Sequence, residues 1–262
     1  MQQLFIIKIG GNVIDDEKNL SAFLTDVAAI KGMKILIHGG GKIATRIGEQ
    51  LGIAPNYVNG RRITDAATID LVTMVYGGLV NKKITAQLQS KGCNAIGLTG
   101  ADANIIPAIK RPVKEIDYGF VGDVSSHDLG VKSLASFLEN GLTPVFAPLT
   151  HDGKGQMLNT NADTIASSLA VALSARYQVR LIYCFEKKGV LENVEDDNSV
   201  IRLITKDIYK ELLDKQRLFD GILPKIDNAF AAINNGVQEV LIGDAKDLLQ
   251  NTTDNTLGTL IK

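Results

Sequence analysis

The chain has no tryptophan, only two cysteines and only three histidines among its 262 residues. Cys93 and Cys184 stand alone with no CxxC spacing, which excludes a disulfide framework and a zinc site built on paired thiolates. Lone thiols in apolar surroundings fit a reducing, cytoplasmic compartment. His38, His127 and His151 form no HExxH and no hydrolytic pattern with serine or cysteine, so strand-end packing or exposure is the expectation for each. An excess of either charge is also lacking. Lys and Arg number 28 against 29 Asp and Glu, a formal charge of -1, which removes the broad positive field that non-specific nucleic-acid or anionic-membrane binding requires. No apolar run reaches the roughly 18 residues needed to span a bilayer. The opening MQQLFIIKIGG has no basic leader, and Lys8 interrupts its apolar run, so export is not expected. Repeats, low-complexity tracts and linkers are missing too.

What is present is a globular balance, 45% hydrophobic and 22% charged, with strands and helices in alternation. Leu4 to Ile9 reads as a buried strand ending at Gly10-Gly11, and Leu20, Phe23, Leu24, Val27 and Ile30 recur at helical spacing before Gly32. A strand over 34–37 runs into His38-Gly39-Gly40-Gly41, and Ile43, Ile47 and Leu51 mark the next helix. Asn59-Gly60 signals a turn. Thr64 is the expected N-cap of one long helix ending near Gly92, with Gly77-Gly78 as a bend or a close contact inside it. Beyond lie a strand over 94–98, hairpins over 105–124, a helix stopped by Gly141, a strand over 144–148 and a turn at Asp152-Gly153. An Ala-rich helix opened by Asn159-Thr-Asn161-Ala-Asp163, a strand over 179–185, a hairpin-like tip at 196–198, two helices and a last strand over 237–242 complete the chain. This β/α order implies a three-layer αβα sandwich with a mainly parallel central sheet, covered on both faces.

Ligands in open α/β sheets collect at the carboxyl ends of strands, where this chain places Gly10-Gly11 and Gly39-Gly40-Gly41. Glycine lets backbone N–H groups approach an anion closely; tight turns alone would account for either cluster by itself. Gly39-x-Gly41-x-x-Ala44 formally fits a dinucleotide fingerprint, but a basic turn, Asn59-Gly60-Arg61-Arg62, stands where an acidic residue is required. The P-loop pattern is absent. An ammonium at Lys8, inside FIIKIG, is costly unless it meets an anion or reaches solvent on its long stem. Lys225 sits near a helix start, where cations are disfavoured, although an exposed lysine would be ordinary there; Asp163 could serve the dipole of its own helix or a site. Arg62 suits a carboxylate through two parallel hydrogen bonds, or plain solvation.

Taken in order, IIKIGG, IHGGGK, NGRRIT, MLNTNAD and FDGILPK resemble the amino acid kinase family over essentially the whole chain. The resemblance implies an N-terminal lobe, 1–175, for acylamino-acid binding and dimerisation, and a C-terminal lobe, 176–262, for ATP. It implies phosphoryl transfer from ATP, with Mg2+, to the side-chain carboxylate of N-acetyl-L-glutamate in arginine biosynthesis. N-succinyl-L-glutamate as acceptor and a non-catalytic nucleotide sensor are the alternatives. By the same resemblance, Lys8 and Lys225 stabilise the transferring phosphoryl group, Asp163 organises them, and Gly10, Gly11, Gly40 and Gly41 meet phosphate. Gly40 and Gly41 with Arg62, Asn159 and Asn161 hold the acylamino acid. The family's ATP-lobe aspartate falls on Glu186, before Gly189, so adenine recognition departs from the pattern. In the family it resembles, arginine-inhibited members carry an extra helix before the first strand, whereas only Met1-Gln2-Gln3 precede Leu4 here, so the resemblance implies an arginine-insensitive homodimer. The resemblance implies a small-molecule partner, and neither nucleic acid nor membrane is expected.

Overall fold

The computed structural model describes residues 1–193, 195–215, 217–218 and 222–262; Phe219, Asp220 and Gly221 of the FDGILPK segment lie outside the described residues. Its framework strands are β1 (Gln3–Ile9), β2 (Met33–Ile37), β3 (Ala95–Leu98), β4 (Thr143–Phe146), β5 (Gln178–Phe185), β6 (Leu203–Ile204), β7 (Glu239–Asp244) and β8 (Thr259–Ile261). The α-helices are α1 (Gly11–Asp15), α2 (Glu17–Ala29), α3 (Gly41–Gln50), α4 (Ala66–Val72), α5 (Asn81–Ser90), α6 (Val131–Glu139), α7 (Ala162–Ser174), α8 (Lys206–Asp214), α9 (Leu223–Asn234) and α10 (Leu248–Asn251). Among the described residues no helix is long and apolar enough to cross a membrane.

Two compact units result: residues 1–35 with 166–262, and residues 36–165. The first of these units is discontinuous in sequence. The reason is that β1 pairs in parallel with β5 over seven residue pairs, Gln3 opposite Gln178 through Ile9 opposite Cys184, which ties the start of the chain to its last third. In the first unit the strand order is β6-β8-β7-β5-β1, parallel except where β7 meets β8. In the second, β4 lies between β2 and β3 and is parallel to both. Each unit thus has a mainly parallel sheet with helices packed on it, the αβα arrangement read from the β/α alternation. Leu4, Ile6, Ile7, Ile9, Leu181 and Ile182 are fully buried, which is why these strands read as continuous apolar runs rather than alternating ones.

Local chemistry sets the element ends. The Asp16 carboxylate accepts a hydrogen bond from the Asn19 N–H at 2.8 Å and opens α2, whose buried stripe is Leu20, Phe23, Leu24 and Val27. Gly32 then takes φ +93°. The helix after the Arg62 hairpin is capped by Asp65, not Thr64: the Asp65 carboxylate accepts from the Thr68 N–H at 2.8 Å, while the buried Thr64 hydroxyl donates to the Arg62 carbonyl. The single long helix foreseen from there is three segments, with a π-helical stretch over Thr73–Val80 between α4 and α5. Gly77 lies in that stretch and packs where a Cβ would sit 3.3 Å from Leu149. In α3 the buried residues are Ala44 and Gly48, the latter so close to Leu71 and the Ile53 carbonyl that a Cβ would clash, while the expected apolar residue Leu51 follows the helix as its C-cap and is exposed. The strands β6 and β8 were not foreseen; each is only two or three residues long.

Candidate active site

The sequence-singled residues fall into two pockets, one in each unit. The first, about 480 Å3, lies at the carboxyl ends of β1 and β5 and is lined by Lys8, Gly10, Gly11, Glu186, Gly189 and Lys225, with Asn12, Phe185, Leu191 and Ile222 among the other walls. It brings together two lysines more than two hundred residues apart in sequence. The Lys8 Nζ is 5.4 Å and the Lys225 Nζ 3.5 Å from the ring centroid of Phe185, so both ammonium groups share one aromatic platform. Two cations held in one cavity repel each other and so favour a polyanionic guest. The Gly10 N–H donates to the Cys184 carbonyl at 3.2 Å, extending the β1–β5 pairing to the rim. A Cβ on Gly11 would meet nothing within 4 Å, so that position is left open to a ligand. Gly189 is different: a Cβ there would be 2.6 Å from the Thr259 Oγ1, so close approach of β8 requires the glycine. Burial pushes the Cys184 thiol up to about 12, which leaves it protonated beside the pocket.

The second pocket, about 260 Å3, is lined by Gly40, Gly41, Arg62, Asn159 and Asn161, together with Tyr57, Tyr76, Arg111 and Asp123. Asn59 at φ +51° and Gly60 at φ +73° make the tight hairpin turn that delivers Arg62. The buried Arg62 guanidinium donates through Nη2 to the Gly41 carbonyl at 3.0 Å, to the Thr45 hydroxyl at 2.8 Å and to the Tyr57 hydroxyl. Gly40 has φ +150°, and a Cβ on it would stand 3.0 Å from the Tyr76 ring, so any side chain there would be strained and would press on that ring. Burial raises the Tyr76 phenol above its ordinary pKa. The Asn159 amide donates to the Thr64 hydroxyl at 3.0 Å. The Asn161 Oδ1 accepts from the N–H groups of Asp163 and Thr164 at 2.8 and 3.1 Å, capping α7. Asp163 sits in the first turn of that helix and lines neither pocket.

Sequence reasoning passed over Phe185, Tyr57, Tyr76, Arg111 and Asp123. The Arg111 Nε donates to both Asp123 oxygens at 3.1 and 3.2 Å, while its Nη1 is buried without a hydrogen-bond partner. Only the pairing of the 108–110 and 122–124 strands could have revealed that pair, since it sets Ile109 opposite Asp123. Among the described residues no three or more His, Cys, Asp or Glu side chains gather as a metal cage.

Residues 3–244 match the model of the amino acid kinase family. An acetylglutamate kinase of Cytophaga hutchinsonii is 57% identical over 99% of this chain and 98% of its own length. One of Phocaeicola vulgatus is 54% identical over 100% of this chain and 99% of its own. Among solved structures, smu.665 from Streptococcus mutans superposes with a TM-score of 0.72 at 31% identity, covering 99% of this chain and 98% of that one.

Proposed function

The chain belongs to the amino acid kinase family, and we propose that it transfers the terminal phosphoryl group of ATP to the side-chain carboxylate of N-acetyl-L-glutamate, a step of arginine biosynthesis, with Lys8 and Lys225 stabilising the group in transfer. The observation that carries the reading is the convergence of these two ammonium groups on Phe185 beside Gly10 and Gly11. A carboxylate acceptor is ionised at neutral pH, so the reaction needs no general base. Its demands are in-line alignment and neutralisation of charge spreading over the phosphoryl oxygens, which ammonium groups and backbone N–H groups meet. Gly40 and Gly41 offer N–H groups to phosphate and acceptor; Arg62, Asn159 and Asn161 hold the acylamino acid. Glu186 and Gly189 would border the nucleotide, and Mg2+ held by the ATP phosphates would neutralise part of their charge. The unit of residues 1–35 and 166–262 takes ATP, and that of residues 36–165 takes the acylamino acid. The homodimer is supported by Met74 and Leu79, which are half or more exposed on the π-helical stretch. A reducing cytoplasmic location is supported by two buried free thiols.

One observation favours a second reading of the acyl group. Arg111 lines the acceptor pocket with its Nη1 buried and unpartnered, a cation suited to the extra carboxylate of an N-succinyl acceptor. ADP release should be measured with N-acetyl-L-glutamate, N-succinyl-L-glutamate, aspartate, glutamate and carbamate. Turnover on an acylglutamate far above the others is expected, and higher kcat/KM on the succinyl form would move the assignment to it. ATP binding with no turnover on any acceptor would leave a nucleotide sensor in place of a kinase.

A further inference from the structure

His38 follows β2 directly and is fully buried at the start of the glycine-rich turn. The Nδ1 of its imidazole is 2.6 Å from the Gly39 carbonyl oxygen, and its Nε2 is 3.2 Å from the Asn81 side-chain nitrogen. The Asn81 amide nitrogen also donates to the Val145 carbonyl at 2.9 Å. A carbonyl can only accept, so the Val145 oxygen fixes which end of Asn81 is NH2, and that NH2 must donate to Nε2. At the other edge the Gly39 carbonyl can only accept from an Nδ1 that carries the proton. The two carbonyls therefore impose one neutral tautomer, Nδ1–H with Nε2 bare. A second proton on the ring would face an NH2 donor, which agrees with burial holding the imidazole well below its usual pKa. The place of Asn81 is itself defended: a Cβ on Gly97 would sit 2.1 Å from its Oδ1.

In a trans peptide the carbonyl and the following N–H point in opposite directions. Holding the Gly39 carbonyl against the imidazole therefore turns the Gly40 N–H the other way, and Gly40 lines the acceptor pocket with its φ of +150°. We propose that His38, locked as the Nδ1–H tautomer by Asn81, is a positioning residue that aims the Gly40 N–H at the oxygens of the transferring phosphoryl group or its acceptor. The proposal rests on the kinase reading of that turn. His38 touches no substrate and exchanges no proton; its contribution is a donor that is oriented before substrate arrives.

Long-range 1H–15N correlation on the histidine-labelled wild-type protein at neutral pH reads the tautomer directly, without activity. The expected spectrum shows a His38 ring with Nδ1 protonated and Nε2 bare; a ring protonated at Nε2, or at both nitrogens, overturns the proposal. Two variants then separate aim from packing. His38→Asn keeps a donor at the δ position, and His38→Gln moves it to the ε position. His38→Gln should lower kcat by about one to two orders of magnitude with KM for ATP unchanged, and His38→Asn should recover most of the loss. Equal kcat in the two variants, or losses that follow Tm alone, overturns the positioning role. If His38→Gln does not fold, the wild-type tautomer decides by itself. Wild-type protein with no turnover on any acylglutamate but with the expected tautomer would fail the kinase reading and leave the hydrogen-bond lock standing.

Discussion

Lys8 tests the chemistry at the scale of a single side chain. It lies in β1 opposite Tyr183 of β5, with its ammonium over Phe185. Replacing it by alanine removes charge from the pocket but little from the core. Lys8→Ala should lower kcat by about two to three orders of magnitude, by analogy with loss of one oxyanion donor, at an unchanged Tm. Near-normal turnover in the folded variant would remove Lys8 from the mechanism. His38 gives a pH signature. Burial lowers its imidazole from 6.5 to about 4, so the unfolded chain takes up this proton at a higher pH than the folded one. Its contribution is complete above pH 6.5 and is lost as pH falls from there toward 4, amounting to roughly 3 kcal/mol at most. Urea unfolding at pH 7 and pH 4.5 should show a steeper loss in the wild type than in His38→Asn; identical slopes would contradict the lowered pKa. Lys8, Lys225 and Arg62 were legible because their chemistry sits in recognisable segments. Phe185 was not, since nothing in a local pattern distinguishes a core aromatic from a platform under two cations.

Elements decide what a glycine is for. Gly11 and Gly189 border the same pocket, yet a Cβ on the first meets open space and on the second meets Thr259 and Val200 within 3.1 Å. Gly189→Ala should therefore cost about 1–3 kcal/mol and lower Tm by several degrees. Gly11→Ala should leave Tm unaltered while reducing kcat by about tenfold or more, because its methyl occupies space meant for phosphate. Thermal scans and turnover on both variants check the pair; a Tm loss in Gly11→Ala or none in Gly189→Ala would reverse the assignment. The same scale explains the helix that broke into three. Apolar spacing over 66–90 signals helix, but the π-helical turn over Thr73–Val80 reflects packing of Gly77 against Leu149 and Thr99, partners that lie outside any local window. Asp65 displaced Thr64 as the cap for a similar reason: the Thr64 hydroxyl is already engaged, donating to the Arg62 carbonyl and accepting from the distant Asn159 amide.

On the scale of the whole molecule, a homodimer built through the π-helical stretch should scatter light as twice the 28.2 kDa chain. A Met74→Asp, Leu79→Asp double variant should shift it to the monomer mass; a wild type already at the monomer mass would exclude the dimer. The sequence by itself determined the β/α alternation, the glycine-bearing strand ends and the family, since these follow from periodicity, turn chemistry and ordered motifs carried by neighbouring residues. It could not divide the chain into its compact units, find β6 and β8, or pair Arg111 with Asp123. Those depend on which distant segments share a sheet. Only the tertiary structure brought Lys8 and Lys225 over one ring, because parallel pairing of β1 with β5 places the first strand beside the last third of the chain, and no local interaction specifies that partner.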